Sequence, residues 1–138
     1  MSDHRFSCRV YFEDTDAGGL VYHASYVRFA ERARTEALRD LGIPHATLID
    51  EFGLIFVVRR IKLDYLRPAR LDDVLEVSTK VLGLGASRID LSQVILRKSE
   101  TVAEAEVMLA CVRQRDGRPA RIPPRWRDAL EMLTAAKD

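Results

Sequence analysis

One stretch of helical periodicity followed by strand-like alternation almost to the end is what most limits the fold open to this chain of 138 residues. Between residues 25 and 41, Tyr26, Phe29, Ala30, Ala33, Ala37, Leu38 and Leu41 recur at helical spacing. Arg28, Glu31, Arg32, Thr35, Glu36, Arg39 and Asp40 fill the other side. Ser25 is the expected N-cap, and Gly42 with Pro44 supplies the stop. The small residues Ala30, Ala33 and Ala37 predict a surface wrapped closely around this helix. Ahead of it, Phe6, Cys8, Val10 and Phe12 alternate with polar residues, as in a half-buried strand. Behind it, after an ambiguous segment at 45–52, residues 54–65, 74–82, 87–97 and 102–113 read as strands. Turns at 68–73 and at Gly83 and Gly85 separate them. A run of strands after one helix predicts an α+β fold with a largely antiparallel sheet of about five strands. The helix can cover only one face, so the open face and edges predict self-association, as a homodimer at least.

The length suits one domain, taken as residues 1–138, with 117–138 as a tail or short helix. Apolar residues at 47% and charged residues at 31% belong to a globular chain, and the formal net charge of +1 argues against nucleic acid as a partner. No apolar run approaches the roughly 18–20 residues of a membrane span. The start at Met1 lacks a signal-peptide core, so a cytoplasmic location is expected. Cys8 and Cys111 are then expected to be free, buried thiols.

The chemistry is concentrated in residues 10–23. Asp14, Asp16, the pair Gly18-Gly19 and His23 all fall in one loop that opens the helix. Glycines let backbone approach a ligand closely, and the first N–H groups of a helix have no partner within it. Asp16 could attack an acyl carbon or take a proton from water, with those N–H groups holding the oxyanion. It could equally cap a turn. Asp14 fits better as a turn residue or an arginine partner, while Glu13 falls on the exposed phase. His23 could polarise a carbonyl through its N–H, orient water or bond Asp16, or be structural. Tyr22 and Tyr26 could line a pocket or pack the core. A metal held by Asp14, Asp16 and His23 would lack a second cluster to complete its shell, and none is expected. The run from Asp14 to Gly18 also resembles the nucleophile motif of haloacid-dehalogenase-type phosphatases, but strand after strand is the wrong architecture for one. Arg59, Arg60 and Lys62 on the long strand, and six arginines from Arg113 onward, could meet phosphate or simply solvate an edge.

Residues 11–26, followed by Phe29, Ala30, Glu31, Arg32, Ala33, Arg34, Thr35 and Glu36, resemble the hotdog-fold acyl-CoA thioesterases. The likeness is strongest to a branch associated with the Tol–Pal system of Gram-negative bacteria, related to 4-hydroxybenzoyl-CoA thioesterases. Residues 56–59, 68–73 and 104–107 match as well. The resemblance implies a central helix wrapped by an antiparallel sheet. It implies hydrolysis of acyl-CoA to free acid and coenzyme A, with no cofactor. It puts Asp16 on the catalytic carboxylate, as nucleophile or general base, and His23 on the residue whose N–H polarises the thioester carbonyl, with Tyr22 beside it. Related enzymes complete the site across a dimer. The region 54–60 would then supply Val58, Arg59 and Arg60, and Arg88 joins them as an arginine for coenzyme A, with Gly18 and Gly19 at the substrate. A homodimer or homotetramer and an acyl carrier protein as alternative thiol carrier belong to the same expectation. Two other readings stay open: a hydratase or dehydratase of the same fold, and a non-catalytic acyl-thioester-binding partner in a membrane-envelope or phospholipid-synthesis complex.

Overall fold

The computed structural model describes residues 3–134. Strand β1 (His4–Arg9) leads into helix α1 (Ser25–Asp40) and the short helix α2 (His45–Phe52). Strands β2 (Leu54–Tyr65), β3 (Val74–Leu84), β4 (Arg88–Arg97) and β5 (Glu100–Arg113) follow, then helix α3 (Pro124–Glu131). The strands form one sheet in the order β1-β3-β4-β5-β2, antiparallel throughout. With α1 laid across one face, this is the expected α+β hotdog arrangement.

Helix α1 sits where its apolar stripe directs it. Phe29 and Ala33 are wholly buried, and Ala30 and Ala37 nearly so. Alanines at these positions let the helix backbone approach Val77, Leu91 and Ala105 on the sheet. Ser25 is not the N-cap: Ala24 holds that place, and Ser25 begins the helix. Its buried hydroxyl donates to the Asp14 carbonyl at 3.0 Å and accepts from Arg28, one turn on, at 2.9 Å.

The first strand also ends sooner than its alternation implies. Asp14 accepts a hydrogen bond from the Tyr11 N–H at 2.8 Å and closes a single 3-10 turn over Phe12–Asp14. That turn takes Phe12 out of period two and leaves it 82% exposed. The ambiguous segment 45–52 is helix α2, capped by Pro44 and by Gly53, whose φ of +64° ends it in the left-handed region. Trp126, Leu130 and Leu133 from the C-terminal part close one end of the core. Cys8 and Cys111 are both free, and burial pushes each thiol up to about 11.

Strand β2 lies at the edge of the sheet, paired only with β5. It carries Val58, Ile61 and Tyr65 part-exposed, on a strand interrupted by a bulge between Val58 and Arg60. No helix among the described residues is long and apolar enough to cross a membrane.

Candidate active site

Residues 10–23 form a loop pinned at both ends. Val10 exchanges backbone hydrogen bonds with Asp72 and Asp73, and Val21 donates to the Ala69 carbonyl at 2.8 Å. Thr15 bridges Val21 across the neck of the loop. Asp14, buried, is the structural carboxylate: besides holding Tyr11 it lies 3.9 Å from the Arg28 guanidinium. The dull reading of Asp14 is the one the structure takes.

Asp16 is built differently. Its Oδ1 accepts from the N–H of Gly18 at 2.8 Å and of Leu20 at 3.3 Å. Its own N–H donates to the Leu20 carbonyl, so backbone and side chain are both held. Gly19 has φ of +81°, which only glycine adopts without strain, and Gly18 leaves room that a Cβ would take within 3.3 Å of Oδ1. Among the described residues, nothing donates to Oδ2. The side chain is exposed, with one oxygen anchored and the other without a donor among the described residues.

Near the end of the loop, Tyr22 donates its N–H to the Asp14 carbonyl, and its own carbonyl accepts from the Ser25 N–H. Between them, the N–H groups of His23 and Ala24 have no acceptor among the described residues. They are the helix-start donors anticipated from sequence. The peptide joining these two residues is itself oriented, because the Tyr65 hydroxyl donates to the His23 carbonyl at 3.0 Å. A trans peptide points its C=O and N–H in opposite directions, so holding the carbonyl aims the Ala24 N–H. Around this point the Tyr22 and His23 rings lie tilted 4.4 Å apart, and Tyr65 meets both His23 and Tyr26 edge to face. A cleft of about 260 Å³ lies against His23, Tyr26 and Tyr65.

A larger cavity of about 380 Å³ lies between α1, α2 and the sheet. Its wall is chiefly apolar and includes Val58, with Glu31, Arg34, Thr35, His45 and Thr79 as its polar members. Burial pushes His45 below its ordinary value, which keeps it neutral at pH 7.

The structure thus gathers Asp16, Gly18, Gly19, Tyr22 and His23 in one loop. It does not bring Val58, Arg59, Arg60 or Arg88 to that loop within the chain. Val58 is seven strand residues from Tyr65, roughly 23 Å along β2. Arg59 stands in the bulge. Arg60 pairs with Met108 and Arg88 with Ala110, in register positions that alternate with the buried Val107 and Leu109, so both arginines lie on the face away from α1. Arg88 is engaged there with Asp90 at 3.0 Å. Asp14, Asp16 and His23 do not form a group that could hold a metal ion.

Two residues of this region escape sequence reading. Tyr65 meets His23 across 42 positions, a contact no local pattern signals. Arg34 carried a signal: it lies four residues after Ala30 and four before Leu38, a charge on the apolar stripe.

A helix held in an antiparallel sheet, with a carboxylate loop at the helix start, defines a hotdog-fold protein of the thioesterase type. The profile of the Thioesterase-like superfamily matches residues 10–130, and the chain belongs to that family. It is 43% identical over 135 residues to the acyl-CoA thioesterase YbgC of Haemophilus influenzae, covering 96% of this chain and 99% of that one. It is 45% identical over 120 residues to the acyl-CoA thioester hydrolase YbgC of Escherichia coli, covering 86% and 89%. Among solved structures, a probable thioesterase from Bartonella henselae superposes with a TM-score of 0.84 at 38% identity, covering 88% of this chain and 99% of its own.

Proposed function

We propose that this chain hydrolyses acyl-CoA thioesters as a homodimer, with Asp16 as the catalytic carboxylate. The observation that carries the reading is local. One oxygen of Asp16 is anchored by two N–H groups, the other is free, and two unpartnered N–H groups start the helix in the same loop. The named relatives supply the substrate class.

The reaction needs little more. The thioester carbonyl oxygen accepts from the N–H of His23 and Ala24, where the helix dipole also favours negative charge. The free Asp16 oxygen then takes a proton from water, whose oxygen bonds to the acyl carbon, or bonds to that carbon itself to give an anhydride that water opens. Either way the carbon–sulfur bond breaks, coenzyme A leaves as a thiolate and is protonated, and the acid is released.

A second copy completes the geometry. The loop meets the Tyr65 end of β2, whereas the large cavity opens along Ile55, Phe56 and Val58 at the other end. Antiparallel pairing of two β2 edges about a two-fold axis sets the loop of one protomer beside the cavity of its partner. That pairing also covers the part-exposed Val58, Ile61 and Tyr65. Arg59, in the bulge on this edge, is the arginine such a partner meets. The free thiols fit a reducing compartment such as the cytoplasm.

The test is free-thiol release from short, long and aromatic acyl-CoAs, and from the same acyl groups on acyl carrier protein, for wild type and Asp16→Asn. Loss of at least about a thousand-fold in kcat with an unchanged circular dichroism spectrum is expected. Normal release by the folded variant removes Asp16 from the chemistry.

A further inference from the structure

We propose that the 380 Å³ cavity selects acyl groups that end in a carboxylate, and that Arg34 is the residue that selects them. This rests on the reading above, which sets the Asp16 loop of one protomer beside the cavity of its partner, and it takes that cavity to receive the acyl group.

Arg34 stands on the apolar stripe of α1, in a chiefly apolar wall that includes Leu38, Phe56, Leu91 and Leu109. Its Nη1 donates to Gln93 Oε1 at 3.0 Å. Gln93 is wholly buried, and its amide nitrogen is already committed to the Ala30 carbonyl at 2.9 Å and Thr79 Oγ1 at 3.0 Å. The amide therefore has one orientation, and its oxygen holds the guanidinium in place. Three groups from three elements are thus spent on positioning one arginine.

The arginine is positioned without a counter-charge. Among the described residues no carboxylate lies within ion-pair distance of it. Glu31, one turn back, is near enough to favour its charge but accepts the Thr35 hydroxyl at 2.9 Å. His45 lines the same cavity, and burial holds its imidazole below the ordinary range, which favours the neutral form. Among the described residues the other two guanidinium nitrogens have no hydrogen-bond partner, and Arg34 lines the cavity. A largely desolvated charge held by one neutral acceptor is costly until an anion meets it. A carboxylate meets a guanidinium fork with two parallel, charge-assisted bonds, and a terminal methyl leaves the fork empty.

The experiment compares coenzyme A thioesters matched in chain length: butyryl with succinyl, hexanoyl with adipoyl, octanoyl with suberoyl. Wild type is expected to favour the carboxylate member of at least one pair by about tenfold or more in kcat/KM, chiefly through KM. Arg34→Met should collapse that ratio, and Arg34→Lys should restore part of it. Calorimetric binding of the same pairs to Asp16→Asn should give the same order without turnover. Preference for the methyl-ended member of every pair overturns the proposal. So does an equal loss on both members in Arg34→Met, or dissociation of that variant to monomers, which would put the guanidinium at a partner's carboxylate. If no thioester is cleaved but Asp16→Asn binds the carboxylate members selectively, the hydrolytic reading fails and Arg34 keeps its role. If cleavage depends on Asp16 without any such preference, only the assignment of Arg34 falls. If nothing is bound or cleaved, both fall.

Discussion

Asp14 and Asp16 lie two positions apart in one loop, and burial separates their tasks. Asp14 is 3% exposed and spends its carboxylate on the Tyr11 N–H, close to Arg28. Asp16 is exposed and leaves one oxygen unused. Their spacing marks both as candidates; only the 3-10 turn between strand and loop decides which faces inward. Tyr65 belongs to the same site through a single contact, which makes it a positioning residue with a clear signature. Tyr65→Phe removes the donor to the His23 carbonyl and frees the peptide that aims the Ala24 N–H. Its kcat should fall by about tenfold with KM little changed, the pattern of a contact that matters in the transition state. Steady-state kinetics on one good acyl-CoA substrate decides it. An unchanged kcat would show that the helix start holds its own geometry.

At the scale of elements, α1 is legible because its stripe is long, its apolar side unbroken but for Arg34, and its stop explicit at Gly42. The alanines state how closely the sheet approaches, and they carry a cost if enlarged. Ala33 is wholly buried, so Ala33→Leu overpacks the interface between helix and sheet and should lower stability by about 1–3 kcal/mol. Thermal or urea unfolding measures this; an unchanged midpoint would mean the helix has slack against the sheet. Strand β2 is equally readable, since Ile61, Leu63 and Tyr65 alternate to its end. Two elements are not. Segment 45–52 is too short and too mixed for period to decide, and becomes a helix because Pro44 and Gly53 bracket it and Leu48 finds the core. Phe12 continues an apolar alternation that is cut short where the Tyr11 N–H donates to the Asp14 carboxylate. Local patterns reveal the faces of elements; they do not reveal bonds that close across a turn, nor Tyr65 and Gln93, whose partners are far along the chain.

The sheet has two edge strands, β1 and β2, and the β2 edge bears part of the cavity wall at one end and the contact to the Asp16 loop at the other. On the proposed mechanism, hydrolysis needs both ends, taken from two copies. Subunit mixing tests it most directly. Asp16→Asn lacks the carboxylate, and Val58→Trp fills the cavity wall while keeping Asp16. Each variant alone should be nearly inactive. After unfolding and refolding together in equal amounts, random pairing makes about half the dimers hybrids, each with one intact site, so about a quarter of wild-type thiol release should return. If each site is built within a single chain, every site in the mixture carries a lesion, and activity stays at the level of the separate variants.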